Sequence, residues 1–205
     1  MNRLGRLVPI TVRAFTYSSI VSYNGLMKIL YTSEQVQARI EQMAKDVIDR
    51  FHDNKPLFVC LLKGAVPFTA QLMSAITRQD SGFHPEVVYM HASAYGTDQT
   101  PGDVSVYSSV DTSVITNRSI IVLDDCLDKG ITFTTMKQLL LDSGAASVGL
   151  IVLIDKDVIR DSIDAPLLVG FTAPDVWLVG MGLDDAATAP EAERWAGYIG
   201  DVSPQ

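Results

Sequence analysis

The sequence predicts an α/β protein built on an open parallel sheet flanked by helices, and three observations carry that prediction. Continuous apolar runs of strand length recur at Leu57–Leu62, Ile120–Leu123 and Val148–Ile154, as in strands buried on both faces. Segments with helical spacing of apolar residues alternate with these runs. Each run also delivers polar residues to its carboxyl end: Lys63-Gly64, then Asp124-Asp125 with Asp128, then Asp155-Lys156. A parallel sheet gathers such ends along one edge, where open α/β sheets bind ligands.

The elements follow in order. Val36, Ile40, Met43, Ala44, Val47, Ile48 and Phe51 keep helical spacing, with Ser33 as the expected N-cap and an end between Arg50 and Asp53, ahead of Lys55-Pro56. Leu57–Leu62 is a buried strand that turns at Lys63-Gly64 into a helix carrying Phe68, Leu72, Met73 and Ile76. Glu86–His91 reads as a further strand, with His91 as a packed residue rather than a ligand. Residues 92–103 are small, polar and interrupted by two glycines and a proline, so they form a long loop of the lid or binding type, or an exposed hairpin tip. Val104–Val106 and Val114–Ile115 are expected as short strands beside it.

Ile120–Leu123 runs into Asp124, Asp125 and Asp128, and then into Gly130 and Thr132. Phe133, Met136, Leu139 and Leu140 sustain the helix beyond, which ends at Ser143-Gly144. Val148–Ile154 is the next buried strand, and Leu167–Phe171 and Trp177–Gly180 are two shorter ones.

With 205 residues, the chain is expected to hold one domain, over 27–205. A net charge of −8 argues against a nonspecific nucleic-acid binder. No apolar run reaches the roughly 18 residues that a membrane span needs. Cys60 and Cys126 form no spaced framework, which fits a reducing compartment and a cytoplasmic location. Cys126 reads as a small apolar filler behind the carboxylates. Up to Ser33 the chain carries Arg3, Arg6, Arg13 and Lys28 with no Asp or Glu. Residues 1–26 are accordingly an extension with three open readings: a targeting leader, a start assigned too far upstream with Met27 as the functional beginning, or an ordered extension.

The turn from Asp128 to Thr132 joins a strand end to a helix N-terminus, so its backbone N–H groups suit a phosphate. The adjacent carboxylates suit ribose hydroxyls or a divalent cation. Neither a G-x-x-x-x-G-K-[ST] loop nor a G-x-G-x-x-G fingerprint is present. A nucleotide-related ligand held by another device is the reading that remains.

Val122–Thr132 resembles the phosphoribosyl-pyrophosphate loop of type I phosphoribosyltransferases, and Leu62-Lys63-Gly64 resembles their pyrophosphate loop. Ser93-Ala94-Tyr95-Gly96 is similar to the start of the lid in the hypoxanthine-guanine branch. Lys156 with Arg160, Trp177–Asp184, and Arg194 followed by Gly197–Gly200 match that branch in order and spacing. The resemblance implies the fold of that family, with a small hood over the sheet. It implies transfer of a 5-phosphoribosyl group from phosphoribosyl pyrophosphate to hypoxanthine and/or guanine, with Mg2+ as cofactor. A homodimer or homotetramer is implied, with no nucleic-acid or membrane partner. A regulator that binds without turnover is the alternative.

The resemblance also assigns roles. Asp128 would accept or share the proton at purine N7. Asp124 and Asp125 would engage the ribose hydroxyls and a magnesium ion. Asp128, Lys129, Gly130, Ile131 and Thr132 would hold the 5-phosphate. Lys63 and Gly64 would contact pyrophosphate, with Arg194 nearby. Lys156 would bind the oxygen at C6, Trp177 would stack on the base, and Leu178 would offer backbone contacts. Asp184 would serve a second magnesium, and Ser93 and Tyr95 would belong to the lid. The chain departs from the family at Lys129, where threonine is common, and at Ile131, where some members have lysine. Ala94 stands in place of a serine and Gly197 in place of a proline, and the segment from Asp185 to Glu193 is longer than usual.

Overall fold

A computed structural model describes residues 27–93, 105–107, 110–160, 164–184 and 191–203. The N-terminal extension 1–26, Tyr95 and almost all of the expected lid lie outside the described residues; of the loop expected over 92–103, only the backbones of Ala92 and Ser93 fall within them, and they continue the strand that starts at Glu86 instead of opening the loop. Nine strands and four α-helices follow one another among the described residues. In chain order they are β1 (Lys28–Tyr31), α1 (Ser33–Phe51), β2 (Leu57–Leu62), α2 (Val66–Gln79), β3 (Glu86–Ser93), β4 (Ser105–Tyr107) and α3 (Thr112–Ile115). Then come β5 (Ser119–Leu127), α4 (Ile131–Asp142), β6 (Ser147–Lys156), β7 (Leu168–Ala173), β8 (Leu178–Val179) and β9 (Ile199–Asp201).

The main sheet has the order β4-β3-β2-β5-β6-β7. Its five strands from β3 to β7 are mutually parallel, and only β4 at one border runs antiparallel. The apolar runs explain the arrangement. Phe58, Ile121 and Leu123 point to the face covered by α1 and α2, while Leu57, Val59, Ile120 and Val122 point to the face that α4 covers with Phe133, Met136 and Leu140. Successive side chains on a strand alternate between faces, so each central strand feeds both cores. The second, three-stranded sheet, β1-β9-β8, is the hood.

Several local expectations are corrected. Thr32, not Ser33, caps α1: its hydroxyl accepts from the Gln35 N–H while the Gln35 side chain accepts from the Thr32 N–H, a complete capping box. Val114–Ile115 is not a strand but part of the short helix α3, started by Asp111, whose carboxylate accepts from the Ser113 N–H. The strand expected over 104–106 is β4, one residue further along. β5 continues through Asp124, Asp125 and Cys126 to Leu127, because the ladder with β6 pairs Asp124 with Val152 and Leu127 with Asp155. The carboxylates therefore stand on the strand itself.

Side chains take up several carbonyls along the border strand β7 and just before it. Arg39 of α1 donates to the carbonyls of Val169 and Gly170, Arg50 to that of Leu167, and the Tyr31 hydroxyl to that of Thr172.

Candidate active site

Lys63-Gly64, Asp124-Asp125 and Thr132 meet in one open cleft of about 350 Å³, with Asp184 and Arg194 on its hood side. Register puts them there. β2 and β5 are parallel neighbours with Cys60 beside Leu123, so the turn after β2 and the carboxylates of β5 end side by side. The Leu62–Lys63 peptide bond is cis. At Gly64 the backbone passes so near Asp125 that any side chain would strike its carboxylate. On its other side, the α-carbon of Gly182 meets the Gly64 carbonyl, where a β-carbon would lie 1.7 Å from the oxygen. The hood thus touches the turn backbone to backbone.

The carboxylates are held by their own strand: Asp124 Oδ1 accepts from the Asp125 N–H and Asp125 Oδ1 from the Cys126 N–H, both at 3.0 Å. Burial, and then the charge of Asp125, push Asp124 well above the usual carboxylate range. Burial also raises Asp125, against the opposing pull of its hydrogen bonds and of the Arg194 charge. A hard divalent cation would relieve both, and two adjacent carboxylates are the kind of donor set that magnesium takes alongside substrate oxygens and water. Among the described residues no cluster of three or more His, Cys, Asp or Glu side chains gathers to hold a metal. Cys126 is raised by burial and by the surrounding carboxylates, so its thiol stays protonated and unreactive.

Gly130 takes a left-handed conformation, φ 79°, and starts α4 without any side-chain cap, with no acidic residue in the first turn. The first N–H groups of α4 and the Thr132 hydroxyl are left for an anion. Lys129 is exposed at the turn, and Ile131 is exposed on the first turn of the helix.

Lys156 ends β6 with its side chain only 11% exposed, and its Nζ lies 3.6 Å from both Asp128 Oδ2 and Asp175 Oδ1. The Asp128 side chain is 50% exposed, so one edge of it remains open to a ligand. Trp177 is 60% exposed; its N–H donates to the Ser203 hydroxyl and its carbonyl accepts from the Val202 N–H, so the indole is presented by a fixed backbone. Leu178 is buried beside it. Arg194 is buried, ion-paired with Asp184, and donates to the Gly182 carbonyl at 2.7 Å. Asp184 thus already shares its carboxylate with a guanidinium.

Three neighbours of the site were not singled out by sequence pattern. His91 lines the cleft, opposite Leu62 in the β2–β3 register, rather than being merely packed. Asp175 shares Lys156 with Asp128. Arg160, noted only for its spacing from Lys156, binds the backbone of the Asp128 turn. The one signal available for these three was position at or just beyond a strand end.

Comparison with known proteins agrees with this geometry. The model of the phosphoribosyl transferase domain matches residues 27–186. The chain is 32% identical over 178 residues to the hypoxanthine-guanine phosphoribosyltransferase of Bacillus subtilis (strain 168), covering 86% of this chain and 93% of that one. It is 31% identical to the enzyme of the same name from Lactococcus lactis subsp. lactis (strain IL1403), over 87% and 92% of the two chains. A crystal structure of a hypoxanthine phosphoribosyltransferase from Staphylococcus aureus superposes with a TM-score of 0.73 at 27% identity, covering 86% of this chain and 93% of that one. With the family domain matched over most of the chain and relatives above 30% identity covered almost end to end, the chain belongs to the phosphoribosyltransferase family, in its hypoxanthine-guanine branch.

Proposed function

We propose that this enzyme transfers the 5-phosphoribosyl group of phosphoribosyl pyrophosphate to a 6-oxopurine, hypoxanthine and/or guanine, in purine salvage. The observation that carries the reading is the Lys156–Asp128 pair at 3.6 Å, set on the same strand-end edge as the cleft. It joins a hydrogen-bond donor for the C6 oxygen to a carboxylate for the N7 proton. In the step, the bond from ribose C1 to the pyrophosphate oxygen breaks as purine N9 bonds to C1. The purine gives up one proton, at N7, to Asp128.

Asp124 and Asp125 face the ribose hydroxyls, and their negative charge favours the cationic character that develops on the ribose. Thr132 and the N–H groups from Lys129 to Thr132 hold the 5-phosphate, with the Lys129 ammonium adding charge. Lys63 and the Gly64 N–H hold the departing pyrophosphate, with Arg194 beside them. Trp177 stacks on the purine and the Leu178 backbone meets its edge. Ser93 and Tyr95 belong to a lid that would exclude water. Magnesium, when bound at Asp124 and Asp125 and at Asp184, supplies charge neutralisation for the leaving pyrophosphate. We place the enzyme in the cytoplasm, in keeping with its free Cys60 and Cys126, and as a homodimer or homotetramer.

The deciding experiment incubates the purified chain with phosphoribosyl pyrophosphate, magnesium and, separately, adenine, hypoxanthine, guanine and xanthine. Nucleotide formation is expected from hypoxanthine or guanine and not from adenine. Ligand binding with no turnover of any 6-oxopurine would overturn the proposal in favour of a non-catalytic regulator.

A further inference from the structure

Arg160 makes four polar contacts beside the cleft, and it reaches none of them from the sheet itself. It sits four residues past the end of β6 and turns back under the strand ends. Its Nη2 donates to the Leu127 carbonyl at 2.7 Å and also to the Lys156 carbonyl; its Nε donates to the Asp128 carbonyl. Its Nη1 pairs with Asp155 Oδ1 at 2.6 Å. Three carbonyl oxygens from two strand ends therefore converge on one planar cation. Without it those oxygens would face one another at close range, dipole against dipole, and would move apart or take up water.

We propose that Arg160 is a positioning residue that fixes the distance between Asp128 and Lys156, the two groups assigned to the purine. The inference rests on the phosphoribosyl-transfer reading above and deepens it. One guanidinium spans the carbonyl of the Asp128 residue and that of the Lys156 residue, so it locks the two backbones from which those side chains spring. The Leu127–Asp155 register carries the same clamp one residue back. Among the described residues Arg160 contacts neither Gly130–Thr132 nor Lys63-Gly64, and on the 5-phosphate turn it meets only the Asp128 carbonyl, whose peptide carries the Lys129 N–H. The clasp accordingly acts first on the purine half of the site and reaches the sugar-phosphate half only through that one peptide at the start of the turn.

Lysine at position 160 would keep the charge but lose the planar fork, and could serve at most part of the carbonyl set. For Arg160→Lys we expect kcat/KM for hypoxanthine to fall by about 10- to 100-fold, the effect of a sub-ångström loosening of reacting groups, while KM for phosphoribosyl pyrophosphate stays within about 3-fold. In Arg160→Ala, added ethylguanidinium should restore part of kcat, whereas it should leave Arg160→Lys and the unsubstituted enzyme unchanged. Retention of hypoxanthine kcat/KM by Arg160→Lys would overturn the proposal. So would a parallel loss in the purine and phosphoribosyl-pyrophosphate parameters that tracks a lower Tm, which is the mark of a merely structural residue. Should Arg160→Ala not fold, the split seen in Arg160→Lys decides alone. An unsubstituted protein without turnover would bring down the transfer reading, and the clasp with it, before any variant is compared.

Discussion

Gly64 and Asp125 stand so close that a β-carbon on the glycine would lie 2.1 Å from the aspartate Oδ2. The turn that would receive the leaving group and the strand that would hold the metal are thus packed without room for one methyl group. Gly64→Ala must displace either the carboxylate or the turn. We expect kcat/KM for phosphoribosyl pyrophosphate to fall by about 100-fold, with a smaller change in purine KM, measured by steady-state kinetics over a magnesium titration.

Asp128→Asn keeps the size of the side chain and its acceptor oxygen but removes the proton acceptor. Turnover should fall by about 10²- to 10⁴-fold, while the Kd for phosphoribosyl pyrophosphate, read by calorimetry, moves by no more than about 3-fold. Equal losses in both would contradict the assigned role.

Lys156→Gln probes base selection. A lysine donates and cannot accept, so it favours an oxygen at C6 and disfavours an amino group. We expect hypoxanthine kcat/KM to fall by about 10²-fold and the preference over adenine to narrow, because the amide can satisfy either group. An unchanged hypoxanthine-to-adenine ratio would remove Lys156 from the selection step.

The acidic pair has a consequence for stability. Asp124 is held well above its ordinary range by burial and by Asp125. A carboxyl raised in the folded state binds more protons there than in the unfolded chain, so folding stability falls as pH rises through the window between the two pKa values. The cost is absent below the unfolded value of about 3.9 and complete above the folded one. Asp124→Asn should therefore raise Tm at pH 7 to 8 in a chelator, by about 2–4 °C for each kcal/mol relieved, and lose that advantage as pH approaches about 4. Activity should be lost at the same time, the usual exchange at a site built for charge.

Much of this was legible in the chain. The runs at Leu57–Leu62, Ile120–Leu123 and Val148–Ile154 are long and wholly apolar, so two-sided burial leaves few alternatives to central parallel strands. Their polar followers then had to share an edge. The hood was less legible: β1 has four residues, β8 two and β9 three, and β1 pairs with β9 across almost the whole chain, where no local pattern survives. Val114 and Ile115 are β-branched and suggested a strand, but the Asp111 cap and the short segment won a helical turn. Arg160 stayed without a role because three of its four partners are carbonyls, and a backbone acceptor leaves no trace in residue identity.

The arginines and tyrosine that occupy carbonyls along β7 matter beyond the stability of the fold. An uncovered border strand is a template on which a further chain can extend the sheet, the route by which folded proteins join into fibres. Arg39 and Tyr31 occupy the carbonyls of Val169, Gly170 and Thr172 on that strand, so a neighbour would have to displace them before it could pair there. Copies of this chain that meet along β7 find part of its hydrogen-bonding row already taken, which disfavours runaway polymerisation on that flank.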